Sequence, residues 1–143
     1  MKIMIRNAYF LIAGVLALLF AVTHAWNGHA AVLPALDIGA VSAETRTVFT
    51  YVWHIVTAEN LVFGIAFMIM ALQREQSKIR FAAWMIAAVL IVRLLVIVGA
   101  TAWLDVSALS ATFMDSIAIL VYVALIILGT LMKQKRFAGE QVR

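Results

Sequence analysis

The chain has no cysteine anywhere in its 143 residues. That excludes a disulfide framework, a cysteine-based zinc site and a thiol nucleophile. Charge is scarce as well: Asp, Glu, Lys and Arg make 13% of the sequence, about half the share of a soluble domain, while 66% is hydrophobic. Neither a water-soluble domain nor a disordered segment has those proportions. Pro34 is the one proline. There is no phosphate loop, no glycine-rich dinucleotide fingerprint and no H-E-x-x-H pair. The net charge of +4 is too small to imply nucleic acid, and its meaning depends on where the basic residues lie.

What the chain has is long apolar runs. A bilayer core of roughly 30 Å needs about 20 mainly apolar residues per helix, and four segments meet that need. They run approximately over 8–26, 49–72, 81–104 and 111–132. Backbone groups in lipid can be satisfied only within a helix or a closed barrel, and Ala87 to Gly99 lacks the alternation of a barrel strand. The expected fold is therefore an all-α, integral membrane four-helix bundle, one transmembrane domain over 1–143. Short connections predict up-down order, with spans two and three and spans three and four adjacent.

Basic residues set the orientation. Lys2 and Arg6 precede the first span, Arg74, Lys78 and Arg80 separate the second from the third, and Lys133, Lys135, Arg136 and Arg143 follow the fourth. All nine fall on one side. The other side carries Arg46 with Asp37, Glu44 and Asp105. The positive-inside rule then puts both termini in the cytoplasm. A competing reading takes Met1–Ala25 as a cleavable signal, with Thr23 and Ala25 as the small residues before the cut. Cleavage would leave three spans. The longest connection is the extracytoplasmic loop 27–48, whose apolar stretch Ala30–Leu36 suits the interface or a cap over the outer mouth.

An ionisable side chain inside lipid costs about 2.5–3.5 kcal/mol on insertion scales, so each one marks a functional hypothesis. Glu59 falls near the middle of the second span, Arg93 near the middle of the third, and Asp115 within a turn or two of the outer end of the fourth. Glu59 and Arg93 lie at nearly equal depth and can meet. Either they lock two helices together as an ion pair, or they form a proton or anion site with Asp115 above and the Tyr122 hydroxyl on its face. Two carboxylates flanking one arginine favour the charged forms, which argues against a readily exchanged proton.

Histidines form a second group in the outer leaflet: His24, His29 and His54, beside the interfacial anchors Trp26 and Trp53. Imidazole is the commonest metal ligand and holds haem iron. His24 and His29 are five apart, about 140° around a continuous helix, so they cannot chelate from one face. The same offset separates His54 from Glu59. His54 is therefore read as facing a site with His24, and Glu59 as facing Arg93. The other reading keeps all three histidines as interfacial or hydrogen-bonded groups. A stripe of Trp53, Thr57, Asn60 and Gly64 shares one face of the second helix, with Gly14, Ala17 and Ala21 as counterparts on the first. Small and hydrogen-bonding residues at that spacing are ordinary helix-packing material, or the lining of an outward cavity.

The segment His24-Ala25-Trp26-Asn27-Gly28-His29, then Leu33-Pro34-Ala35-Leu36, then Trp53-His54-Ile55-Val56-Thr57 resembles a group of small bacterial four-span inner-membrane proteins of unassigned function. In that group a histidine and glycine end the first helix and a Trp-His pair begins the second. The resemblance covers the first half of the chain and implies a bacterial inner membrane, with no reaction; Glu59 and Arg93 lie beyond it.

No serine among Ser107, Ser110 and Ser116 has a base assigned to it, so no enzyme is expected. The expected function is a non-enzymatic membrane subunit or ligand-binding bundle, with a polar site in its outer half drawn from His24, His54, Asn60, Glu59, Arg93 and Asp115. Its partners would be the lipid bilayer and a homo-oligomer or larger membrane complex. The alternative is a redox accessory protein in which His24 and His54, with His29, bind haem or a transition metal. A transporter would need an oligomer. For the ion pair, Arg93→Leu is expected to destabilise the protein in detergent, and Arg93→Leu with Glu59→Leu to recover much of the loss. A double variant that unfolds no later than the single one shows that the two side chains do not pair.

Overall fold

The computed structural model describes residues 4–38 and 41–132. Among them are four helical segments long and apolar enough to cross a membrane: Ala8–Leu36, Ala43–Leu72, Gln76–Leu104 and Val106–Leu131. The helical elements are α1 (Ala8–Asn27), α2 (Leu33–Ile38), α3 (Ala43–Leu72), α4 (Gln76–Leu104) and α5 (Phe113–Leu131). They divide into two compact units, Met1–Leu72 and Gln73–Arg143.

In the first unit α1 and α3 run antiparallel, and both ends of the pair are tied. Asn7 has an extended backbone, and its side chain accepts from the Phe10 N–H at 3.2 Å, which caps α1. The N–H groups of Arg6 and Asn7 both donate to the Ala71 carbonyl, at 2.8 and 3.2 Å. Ala71 lies in the last turn of α3, whose carbonyls have no partner within the helix. The start of one helix thus satisfies the end of the other.

Between the ties, small residues set the distance. Phe10, Ala13, Gly14, Ala17 and Ala21 form the buried face of α1, and Asn60, Gly64, Phe67 and Ala71 recur at four, three and four on α3. Lipid supplies no hydrophobic force between helices, so close van der Waals packing must do it. A β-carbon on Gly14 would stand 3.0 Å from the Gly64 carbonyl oxygen, and one on Gly64 would stand 2.8 Å from the Leu18 side chain. The backbones touch there because neither position has a side chain.

The first span does not stop at residue 26. It continues through a π turn at Gly28–Val32 into α2, and the Leu33 N–H reaches back to the Gly28 carbonyl. Pro34 follows directly. Its ring and missing N–H break the regular ladder, and the widened turn accommodates the break without ending the helix. Much of the expected loop 27–48 is therefore helical. α3 also starts six residues before the expected 49: Ser42 accepts from the Thr45 N–H at 3.1 Å, and its carbonyl accepts from Arg46 at 3.0 Å. A polar turn before an apolar run is still good helix. Hydropathy marks where the hydrocarbon begins, not where the helix does.

In the second unit α4 starts at Gln76 rather than 81 for the same reason, with an exposed Glu75–Lys78 pair at 2.6 Å over its first turn. Arg80 at the start of α4 donates from Nη2 to the Met132 carbonyl after α5 at 3.4 Å, so this pair is also antiparallel. Between the helices Asp105 opens a 3₁₀ stretch, Val106–Thr112, by accepting from the Ser107 hydroxyl and from its N–H at 3.0 Å. The hydroxyl first, and then the N–H, hold this carboxyl below the ordinary carboxylate range. The charged cap is therefore present above the ordinary value and is lost as pH falls through the lowered one.

Gly64→Leu is expected to cost the detergent-solubilised protein about 1–3 kcal/mol by forcing α1 and α3 apart. Gly99→Ala, at a glycine with open space around it, is expected to leave the unfolding midpoint unchanged or slightly raised. Equal loss in both variants would refute the close-contact account.

Candidate functional site

A linked set of polar groups in the first unit lies where the end of α1 meets the first half of α3. His24 occupies the last turn of α1. Its Nδ1 lies 3.0 Å from the Thr57 hydroxyl, its ring stacks on the Trp53 indole at 4.1 Å and 21°, and its carbonyl accepts from Trp53 Nε1–H at 3.0 Å. Phe49 stacks on the same Trp53 indole at 5.9 Å. Gly28 makes this possible. A β-carbon there would overlap the indole, so only glycine lets Trp53 reach the His24 carbonyl.

The hydrogen bonds also bear on the tautomer of the imidazole. The Thr57 hydroxyl is 3.3 Å from the Trp53 carbonyl one turn earlier and donates to it. A hydroxyl has one proton, so when it goes to that carbonyl the Thr57 oxygen accepts from His24 Nδ1–H. In that arrangement neutral His24 carries its proton on Nδ1 and its lone pair on Nε2. Asn60, three residues beyond Thr57 on the same face, is 6% exposed, and Glu59 beside it is half-buried.

The remaining predicted residues fall elsewhere. His54 is exposed, about 100° around α3 from Trp53, and lines an open groove with Arg46, Thr50, Tyr51 and Ile55. Its surroundings are thus on a different face from the one that meets His24. The stripe contained the signal for this: Thr57 follows Trp53 by four and shares its face, whereas His54 follows by one. His29 is exposed on the π turn. Arg93 is half-buried on α4 of the second unit. Asp115 is exposed in the first turn of α5, where a carboxylate complements the helix dipole, and Tyr122 is buried at 1%. Asp37 lies where side chains are outside the described residues. Among the described residues no three His, Asp or Glu side chains gather in a group able to hold a metal ion.

Sequence reasoning missed Gly28 as the seat of Trp53 and Thr57 as the partner of His24. No protein-family model, curated protein or solved structure matches the chain.

Nitrogen-15 spectra of the histidines at a pH where His24 is neutral are expected to show its Nδ1 protonated and its Nε2 as the pyridine-type nitrogen. Thr57→Val, which removes the acceptor, is expected to shift that signal toward the mixed tautomers of free imidazole. An Nε2–H signal in the unaltered protein would contradict the assignment.

Proposed function

We propose that the chain is a non-enzymatic, multi-pass protein of the bacterial inner membrane, an up-down bundle with both termini in the cytoplasm. Its role in this reading is that of a ligand- or ion-binding or accessory subunit. The orientation is supported by the nine basic residues assigned to one side of the four spans. The observation that carries the binding role is the linked set His24, Trp53 and Thr57 in the outer half of an otherwise apolar helix pair. Polar side chains at that depth need a reason, and this set holds an imidazole at a fixed angle, stacked and hydrogen-bonded. An accessory role is supported by the spans' outer faces. Fewer than a third of the residues in each span's apolar window are buried within the chain, which leaves wide surfaces for lipid or neighbouring subunits.

A second reading is favoured by the tautomer. Nδ1–H engaged and a lone pair on Nε2 is the state in which histidine ligates a metal or haem iron, with a hydrogen-bonded second nitrogen orienting the ring. His24 is the residue for that role; His54, on another face, would serve a separate site. Purification in native lipid distinguishes the readings. The first predicts bound non-protein mass or density beside His24 with no Soret band and no stoichiometric metal; the second predicts a Soret band or metal lost in His24→Ala. Protein that carries neither contradicts both.

A further inference from the structure

Asn27 and Gly28 form the dipeptide in which an asparagine side chain is most easily attacked by its own backbone. In that reaction the Gly28 nitrogen bonds to Asn27 Cγ, the side-chain nitrogen leaves as ammonia with the Gly28 proton, and a five-membered succinimide closes. Water then adds to either imide carbonyl. One opening gives aspartate; the other gives isoaspartate, whose main chain runs through Cγ and is longer by a single carbon. Glycine speeds the attack because no side chain shields its nitrogen.

The packing leaves no other choice at position 28. A β-carbon there would overlap the Trp53 indole, so the contact that seats the ring also keeps the reactive pair in the sequence. Asn27 is exposed, and its side chain makes no capping bond to the π turn. Protection must therefore come from the backbone. Asn27 is helical, at φ −62° and ψ −40°, and the Gly28 N–H is committed to the Ala25 and His24 carbonyls. A nitrogen so engaged reaches Cγ only when that turn opens. The other helix opposes opening, since Trp53 Nε1–H holds the His24 carbonyl at 3.0 Å and the indole lies against Gly28.

We propose that Asn27 is a modification site, deamidated through the succinimide when the end of α1 opens and shielded while Trp53 is seated on Gly28. Water is the only co-reactant. The change runs one way. An isoaspartyl link puts an extra carbon beside the glycine on which the indole rests, so Trp53 is not reseated and the His24 ring loses its stacking neighbour. The reaction is independent of what His24 binds, but it dismantles the setting in which His24 is held.

The test ages the full chain in detergent at mildly alkaline pH beside a free peptide of residues 21–31, and reads conversion at Asn27 by peptide mass spectrometry with isoaspartyl detection. The folded chain is expected to convert about tenfold more slowly than the peptide, or slower still, because the rate follows the population of the open turn. Trp53→Phe removes one hydrogen bond and is expected to speed conversion about fivefold. Thr57→Val, which loosens the imidazole stacked on the indole, is expected to act in the same direction. Folded protein that converts as fast as the peptide overturns the inference, as does an unchanged rate in every variant that folds. In the isoaspartyl product the Trp53 Nε1–H is expected to exchange freely with solvent, whereas Asn27→Asp, which adds the charge without the carbon, keeps it protected. An isoaspartyl product that retains the protection overturns the unseating of Trp53.

Discussion

The hydrocarbon of a bilayer contains no water to receive a stray N–H, carbonyl or side-chain dipole, and each polar group placed there must find its partner within protein. The first helix pair is arranged around that requirement. Ala71 near the end of α3 accepts from the two N–H groups that precede α1, and Asn7 caps the same turn. At the other end the Trp53 N–H goes to the His24 carbonyl, the His24 N–H to Thr57, and the Thr57 hydroxyl back to the Trp53 carbonyl. Two glycines in the middle let the backbones come close enough for both ends to close.

The same dependence runs from single residues to the site. Pro34 cannot continue a regular ladder, and the π turn before it carries the chain onward as α2. Gly28 opens that turn and leaves room for the indole. With any side chain at Gly28, Trp53 is displaced, its bond to His24 is lost, and the imidazole loses its stacking neighbour. The chemistry available to His24 therefore rests on a residue that has no chemistry of its own. The contacts that pack the two helices are also those that hold the imidazole, which is why the stripe Trp53, Thr57, Asn60 and Gly64 reads as packing and as a site at once.

Four spans were legible in the sequence because lipid writes them in composition, and runs of twenty apolar residues have few other uses. Helix ends were less legible. Ser42 and Glu75 begin helices in polar sequence, where hydropathy is silent, and the turn around Pro34 preserves a helix that a proline rule would stop. The linked trio was half legible: spacing put Trp53 and Thr57 on one face, but chemical type drew attention to the pair His24 and His54, and the helical angle between Trp53 and His54 decides otherwise. Gly28 carried no signal in sequence beyond being a glycine, since its role lies in a contact with a residue twenty-five positions away.

Whether His24 faces the outside of the cell depends on which way the spans run, and the absence of cysteine makes that directly measurable. Single cysteines at Glu44, Ser77 and Ala111, all exposed positions, can be probed with a membrane-impermeant maleimide on bacterial cells expressing the chain. The account predicts that Glu44→Cys and Ala111→Cys react in intact cells and that Ser77→Cys reacts only once the membrane is broken. Labelling of Ser77→Cys in intact cells, with protection at the other two, would contradict it.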